Sequence, residues 1–183
     1  MKIEVVRIPV RRVGVLIGKK GEVKAEIEAR AGVVLYIDSE TGDVSVEDSK
    51  AYDAVVALKV RDIVKAIGRG FSPEHAFRLF QDETYFDVLD VTDYVGKGEK
   101  HIQRVRARII GTGGKTRHII EELSGANLSI QGNSIAMLGD VMEVKVAREA
   151  VEMILEGAPH STVYKFLERK RKELRLYDLG IRY

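Results

Sequence analysis

Two short stretches carry the residue types from which a seat for a polyanion can be built: Ile17-Gly18-Lys19-Lys20-Gly21 and Ile110-Gly111-Thr112-Gly113-Gly114. In each, two glycines three positions apart let the backbone turn sharply and approach a ligand with no Cβ in the way. A helical pattern follows each stretch, and a helix start offers unpaired N–H groups and the positive end of its dipole to a phosphate. Lys19 and Lys20 within the first stretch, and Lys115 and Arg117 just after the second, are placed to pair with phosphates. A lone Gly-x-x-Gly turn is common. Two of them, each preceded by isoleucine and followed by a helix, are a far more specific signal.

The elements that must position these turns repeat. A shift of 93 positions carries Gly18 onto Gly111, and without a gap it also places Ile27 on Ile120, Gly32 on Gly125, Leu35 on Leu128 and Ile37 on Ile130. In the first copy, residues 3–9 alternate as a strand; Val10, Val13 and Ile17 recur at helical spacing; Val23, Ile27 and Ala31 line a second helix ended by Gly32. Residues 33–37 and 43–47 read as a hairpin turning through 39–42, and Tyr52, Val56, Val60, Ile63 and Ile67 form the buried face of a longer helix. The second copy has a strand over 85–94, helices on Ile102, Val105 and Ile109 and on Thr116, Ile120 and Leu123, a hairpin about Gly132-Asn133, and a helix on Val144, Ala147, Val151 and Ile154. Each copy is therefore β-α-α-β-β-α.

That order, with the turn after the first strand and before the hairpin, resembles the type I, eukaryotic-type KH module, an α+β fold. In a KH module the loop clamps the backbone of about four nucleotides of single-stranded RNA and an adjoining apolar groove takes the bases. By this resemblance the RNA-contacting set is Gly18, Lys19, Lys20, Gly21, Gly111, Thr112, Gly113, Gly114, Lys115 and Arg117. Val13, Ile17, Val23, Ile27, Leu35 and Ile37, with Ile110, Leu128 and Ile130, are groove candidates; most read as core, the loop-proximal ones as also reaching bases. Tyr36 is placed either as a base-stacking ring beside the groove or as a tyrosine at the core's edge.

The organisation that follows is a first module over 1–70, a structured connector over 71–83, a second module over 84–157, and a basic C-terminal helix and tail over 158–183. Gly68-Arg69-Gly70 breaks the long helix, and Ser72-Pro73-Glu74 opens another, with Ala76, Leu79 and Phe80 as its apolar face. Beyond Pro159, a helix over 161–175 lies in a tail holding seven basic residues against three acids.

Composition supports a binding protein. The net charge is only +2, but it is uneven: residues 1–24 hold seven basic residues against two acids, and 97–117 hold seven against one. With no cysteine there is neither a disulfide framework nor a thiolate nucleophile or metal site. No stretch approaches the roughly 18 apolar residues of a membrane span, so a cytoplasmic protein without membrane contact is expected. The abundance of Lys, Arg and Glu fits a heat-adapted source.

Catalytic patterns fail on spacing. Gly114-Lys115-Thr116 resembles the end of a P-loop, but that motif needs glycine where Ile109 stands, and no dinucleotide fingerprint forms around Gly111-Thr112-Gly113. His75, His101, His118 and His160 are scattered, each read as a surface residue or helix-terminal cation, and Glu121-Glu122 reads as a solvated face. No catalytic residue, cofactor or metal is assigned, and no enzyme is expected.

Beyond the two turns, the connector Gly70-Phe71-Ser72-Pro73-Glu74-His75-Ala76-Phe77-Arg78-Leu79-Phe80 with Tyr85-Phe86-Asp87-Val88, and the tail Gly157-Ala158-Pro159-His160-Ser161-Thr162-Val163-Tyr164, give the chain a further resemblance. It is similar over almost its whole length to the archaeal counterparts of the KH-domain pre-ribosomal RNA processing factors, the Dim-two and Krr-one group. This resemblance implies an assembly factor at the 3′ end of small-subunit ribosomal RNA, beside a processing nuclease and in association with the α subunit of translation initiation factor two. Eukaryotic relatives often have a degenerate first loop, whereas Gly18 to Gly21 is intact here. The competing expectation is a protein-protein scaffold with vestigial loops; a nucleotide hydrolase is a third.

Overall fold

The computed structural model describes residues 3–48 and 53–180. Tyr52, expected on the buried face of the long helix, lies outside the described residues. The chain divides into two compact units between Thr84 and Tyr85.

The first unit runs β1 (Ile3–Arg7), α1 (Val10–Ile17), a 3₁₀ turn (Lys19–Gly21), α2 (Glu22–Ala31), β2 (Val34–Ile37), β3 (Asp43–Glu47), α3 (Ala54–Gly68) and α4 (Pro73–Phe77). β3 lies between β1 and β2 and is antiparallel to both, with Val6 and Ile37 each opposite Val44. Leu16, Ile27, Leu35, Val44, Val60, Ile63 and Ile67 fill the core between sheet and helices. The stripe expected on α1 is displaced: Val13 and Leu16 are buried, Val10 is exposed and Ile17 half-buried at the turn. The connector is packed into this unit. Ser72 caps α4 by accepting from the His75 N–H, and the Arg30 guanidinium lies 4.3 Å over the Phe80 ring.

In the second unit the order is β4 (Thr84–Asp90), α5 (Thr92–Val95), α6 (Glu99–Ile110), a 3₁₀ turn (Thr112–Gly114), α7 (Lys115–Ser124), β5 (Asn127–Gln131), β6 (Ser134–Asp140), α8 (Val141–Leu155) and α9 (His160–Asp178). β6 is the central strand, and its hairpin with β5 turns at Gly132, whose φ of 57° suits the primed turns that match strand twist. Ile102, Val105, Ile109, Ile120, Leu128, Met137, Val151 and Ile154 form one core, to which α9 adds Val163, Phe166 and Leu167.

The strand expected over 85–94 ends early, at Asp90. The Asp90 carboxylate accepts from the Thr92 N–H at 2.8 Å and from the Thr92 hydroxyl at 2.6 Å, closing the backbone into the turn that starts α5. Apolar alternation through Val91 and Tyr94 hid that local cap.

Candidate nucleic-acid interface

The two Gly-x-x-Gly turns have the same backbone. Gly18 sits at φ 76°, ψ 174° and Gly111 at 75°, 171°; Lys20 at 55°, 25° and Gly113 at 60°, 23°; Gly21 at 79°, 12° and Gly114 at 80°, 11°. Each turn is closed by two successive backbone bonds: the Gly21 N–H donates to Gly18 O at 3.2 Å and the Glu22 N–H to Lys19 O, and the Gly114 N–H donates to Gly111 O at 3.1 Å and the Lys115 N–H to Thr112 O.

The glycines are needed for two different reasons. A Cβ on Gly18 would stand 2.8 Å from the Val23 nitrogen, and one on Gly111 2.7 Å from the Thr116 nitrogen, so these positions let the first turn of the next helix press against the end of the last. Around Gly21, Gly113 and Gly114 a Cβ would meet nothing within 4 Å. These tips face open space, and glycine serves them through its left-handed φ. Lys20 holds the same left-handed conformation with a side chain attached, which costs about 1–2 kcal/mol that Gly113 avoids. Lys19, Lys20, Thr112, Gly113 and Lys115 are all exposed. Among the described residues no side chain caps the first turn of α2 or α7; the first N–H of each helix donates within the turn instead, from Glu22 to Lys19 O and from Lys115 to Thr112 O.

Many of the remaining cations have structural duties that the charge count concealed. Glu28 accepts from the Leu35 N–H at 2.8 Å and pairs with Lys24 at 3.6 Å; 93 positions on, Glu121 accepts from the Leu128 N–H at 2.8 Å and pairs with Arg117 at 3.5 Å. Glu121 is thus half-buried and tied to the sheet, where the sequence suggested a solvated face. Arg117, a candidate phosphate contact, is oriented by that carboxylate and stays 47% exposed, while Lys115 lies nearer the tip. Arg12 donates to Ile67 O and Phe71 O, both at 2.8 Å, and Arg108 donates to Ile154 O at 3.1 Å and Ala158 O at 2.6 Å. The accepting carbonyls are equivalent at the ends of α3 and α8, yet the two arginines are not equivalent by the 93-residue shift. Burial, with repulsion from Arg11, pulls the Arg12 guanidinium below its ordinary pKa.

The apolar groove candidates separate by depth. Val13, Ile27, Leu35 and Leu128 are core, whereas Ile17, Val23, Ile37, Ile110 and Ile130 are half-buried. Tyr36 is exposed on β2, on the face away from the groove candidates Leu35 and Ile37. It alternates with buried Leu35 and half-buried Ile37, so it lies on the other face of the sheet, where its hydroxyl donates to Glu47 at 3.0 Å and the carboxylate raises its pKa. His160, read from the sequence as a surface residue or a helix-terminal cation, is half-buried at the first position of α9 and places Nε2 2.9 Å from Arg108 O.

Comparison with known proteins agrees with this geometry. Residues 85–172 match the family described as eukaryotic type KH-domain (KH-domain type I), and residues 3–52 match the KH domain family. A KH domain-containing protein of Methanocaldococcus jannaschii is 49% identical over 94% of this chain and 76% of its own length. The crystal structure of Dim2p from Pyrococcus horikoshii superposes with a TM-score of 0.85 at 46% identity, covering 92% of this chain and 99% of that one. This chain belongs to the PNO1/Dim2 family of KH-domain proteins. Both units are KH modules of mixed α/β structure, each with a three-stranded sheet, and α9 follows the second. Dim2p also occurs in a solved a/eIF2α–aDim2p–rRNA complex from Pyrococcus horikoshii, which matches with a TM-score of 0.87 at 46% identity over 94% of this chain and 95% of that one. The pre-rRNA-processing protein pno1 of Schizosaccharomyces pombe is 31% identical over 70% of this chain, which spans about half, 54%, of that relative's length.

No helix among the described residues is long and apolar enough to cross a membrane, and no cluster of three or more potential metal-ligating His, Asp or Glu occurs among them.

Proposed function

We propose that this chain binds single-stranded RNA through both Gly-x-x-Gly loops and acts in small-subunit ribosome assembly, at the 3′ end of the ribosomal RNA. One observation supports the RNA reading: the two loops share one backbone conformation, with open space about their glycine tips and a helix start that no side chain caps beside each. A sugar-phosphate chain fits such a surface because it needs close backbone approach, N–H donors and nearby cations at once. Lys19 and Lys20 supply charge at the first loop; Thr112, Gly113 and Lys115 supply a slimmer approach with one adjacent cation at the second. Half-buried Ile17, Val23 and Ile37, and Ile110 and Ile130, are the apolar surfaces on which bases would rest.

Ribosomal RNA and the α subunit of translation initiation factor two are the partners suggested by the complex in which Dim2p was solved. Processing of pre-ribosomal RNA is suggested by the fission-yeast relative. The protein acts as a cytoplasmic binding factor and not as an enzyme.

The test is affinity for a single-stranded oligonucleotide matching the 3′ terminus of small-subunit rRNA, measured across salt concentrations. Lys19→Asp/Lys20→Asp and Thr112→Asp/Gly113→Asp each place like charge against phosphate, and Asp tolerates the left-handed position that Lys20 and Gly113 occupy. Each pair should weaken binding at least tenfold with the fold intact, and all four together should abolish it. Unchanged affinity in all variants, with retained binding to the initiation-factor subunit, would favour the scaffold reading.

A further inference from the structure

Helix α9 lies outside the β-α-α-β-β-α pattern, yet its first turns are bonded to the helix-turn-helix that carries the second loop. His160 Nε2 is 2.9 Å from Arg108 O, and the Arg108 guanidinium in turn donates to Ile154 O and Ala158 O where α8 gives way to α9. The His160 and Tyr164 rings stack at 5.9 Å with an interplanar angle of 12°. The Tyr164 hydroxyl then meets Thr116 Oγ1 at 2.9 Å.

Thr116 is the residue that the absent Cβ of Gly111 leaves room for. A Cβ there would stand 2.7 Å from the Thr116 nitrogen and 2.8 Å from its Cβ, closer still to Oγ1. Thr116 is only 2% exposed, so its hydroxyl needs a protein partner, and Tyr164 is that partner. At the matching place beneath Gly18 the first module has Val23, a side chain of similar shape with no hydroxyl to satisfy. The first loop is therefore seated within its own module by packing alone. The second is seated on a hydrogen bond whose other half comes from the C-terminal helix.

We infer that Tyr164 is a positioning residue for the second RNA-contacting loop, and that α9 is an integral part of that half of the binding surface. The inference rests on the reading of residues 111–114 as an RNA contact. Tyr164 need not touch RNA. It holds Thr116, and Thr116 holds the turn at Gly111 in the conformation shared with Gly18.

The experiment uses the full chain carrying Lys19→Asp/Lys20→Asp, so that binding reports the second loop, and adds Tyr164→Phe, Thr116→Val, or both. Tyr164→Phe leaves the buried Thr116 hydroxyl without its partner, and affinity for the single-stranded oligonucleotide should fall about tenfold, the size of one lost buried hydrogen bond. Its salt slope should stay unchanged, because no phosphate contact has been removed. The double variant reproduces the valine solution of the first module and should recover to within about threefold of its parent. Without RNA, amide exchange at 111–116 should speed up in Tyr164→Phe and return in the double variant. Unchanged exchange at 111–116 in Tyr164→Phe would overturn the positioning role, as would a double variant no better than Tyr164→Phe, or a loss confined to thermal stability. If exchange responds as expected but Thr112→Asp/Gly113→Asp leaves RNA affinity intact, the RNA reading of the loop is what fails.

Discussion

Replacing Gly111 and Gly114 in turn by alanine separates the two jobs glycine does in these loops. At Gly111, φ 75° and ψ 171° fall in a region used essentially by glycine, which alone costs about 1–3 kcal/mol for alanine. The added Cβ would also stand 2.7 Å from the backbone nitrogen of Thr116, which cannot move without shifting the start of α7. Overpacking of that kind adds about 1–3 kcal/mol, for a total near 4 kcal/mol. At Gly114, φ 80° and ψ 11° are ordinary left-handed values and a Cβ would meet nothing within 4 Å. There the cost is about 1 kcal/mol, after the reduced freedom of the unfolded alanine chain is credited. A gap of about 3 kcal/mol corresponds to about 2 M in urea midpoint at a slope near 1.5 kcal/mol per M. Urea unfolding of the full chain, with amide exchange of α6 and α7 to locate the loss in the second module, measures it. Equal midpoints for the two variants would refute the claim that Gly111 is required by close helix approach.

Arg12→Gln and Arg108→Gln should each destabilise their module by about 2–3 kcal/mol while leaving the salt slope of RNA binding unchanged, since these guanidinium groups satisfy carbonyls at the ends of α3 and α8; a reduced slope in binding titrations would show them to be phosphate contacts. Lys20→Gly should lower the salt slope by about 0.7, one phosphate contact on a single strand, with no loss of thermal stability, because it relieves the left-handed strain at φ 55°. The Asp38 carboxylate accepts from the Glu40 and Thr41 N–H groups, which hold its pKa below the usual aspartate value. The bond to the ionised form therefore adds stability above about pH 4, and that stability is lost as pH falls through the lowered folded value. The stability gap between the parent and Asp38→Asn should accordingly be present at pH 6 and close on acidification; a gap independent of pH, followed by thermal denaturation, would contradict this.

The order of elements, the repeat and the two loops were legible in the residues because each has a local cause. Glycine is favoured where φ is positive, so Gly18, Gly21, Gly111 and Gly114 mark the turns, while apolar spacing marks the faces of α2, α6 and α8. The α5 turn had a local cause too, in Asp90-Val91-Thr92, but strand-like alternation on both sides overrode it.

What only tertiary structure decided is how polar and charged groups are used, because a side chain's partner is set by what folding brings near it. Arg12 and Lys19 look alike in a charge count; one is spent on carbonyls 55 and 59 positions away and the other is exposed at a loop tip. Glu121 resembled solvent-facing charge until its partner appeared across the turn to β5, and Tyr36 was near the groove in sequence but on the opposite face of its sheet. The bond between Thr116 and Tyr164 joins residues 48 positions apart. No periodicity links them, since a hydroxyl becomes a necessity only once burial has removed its water.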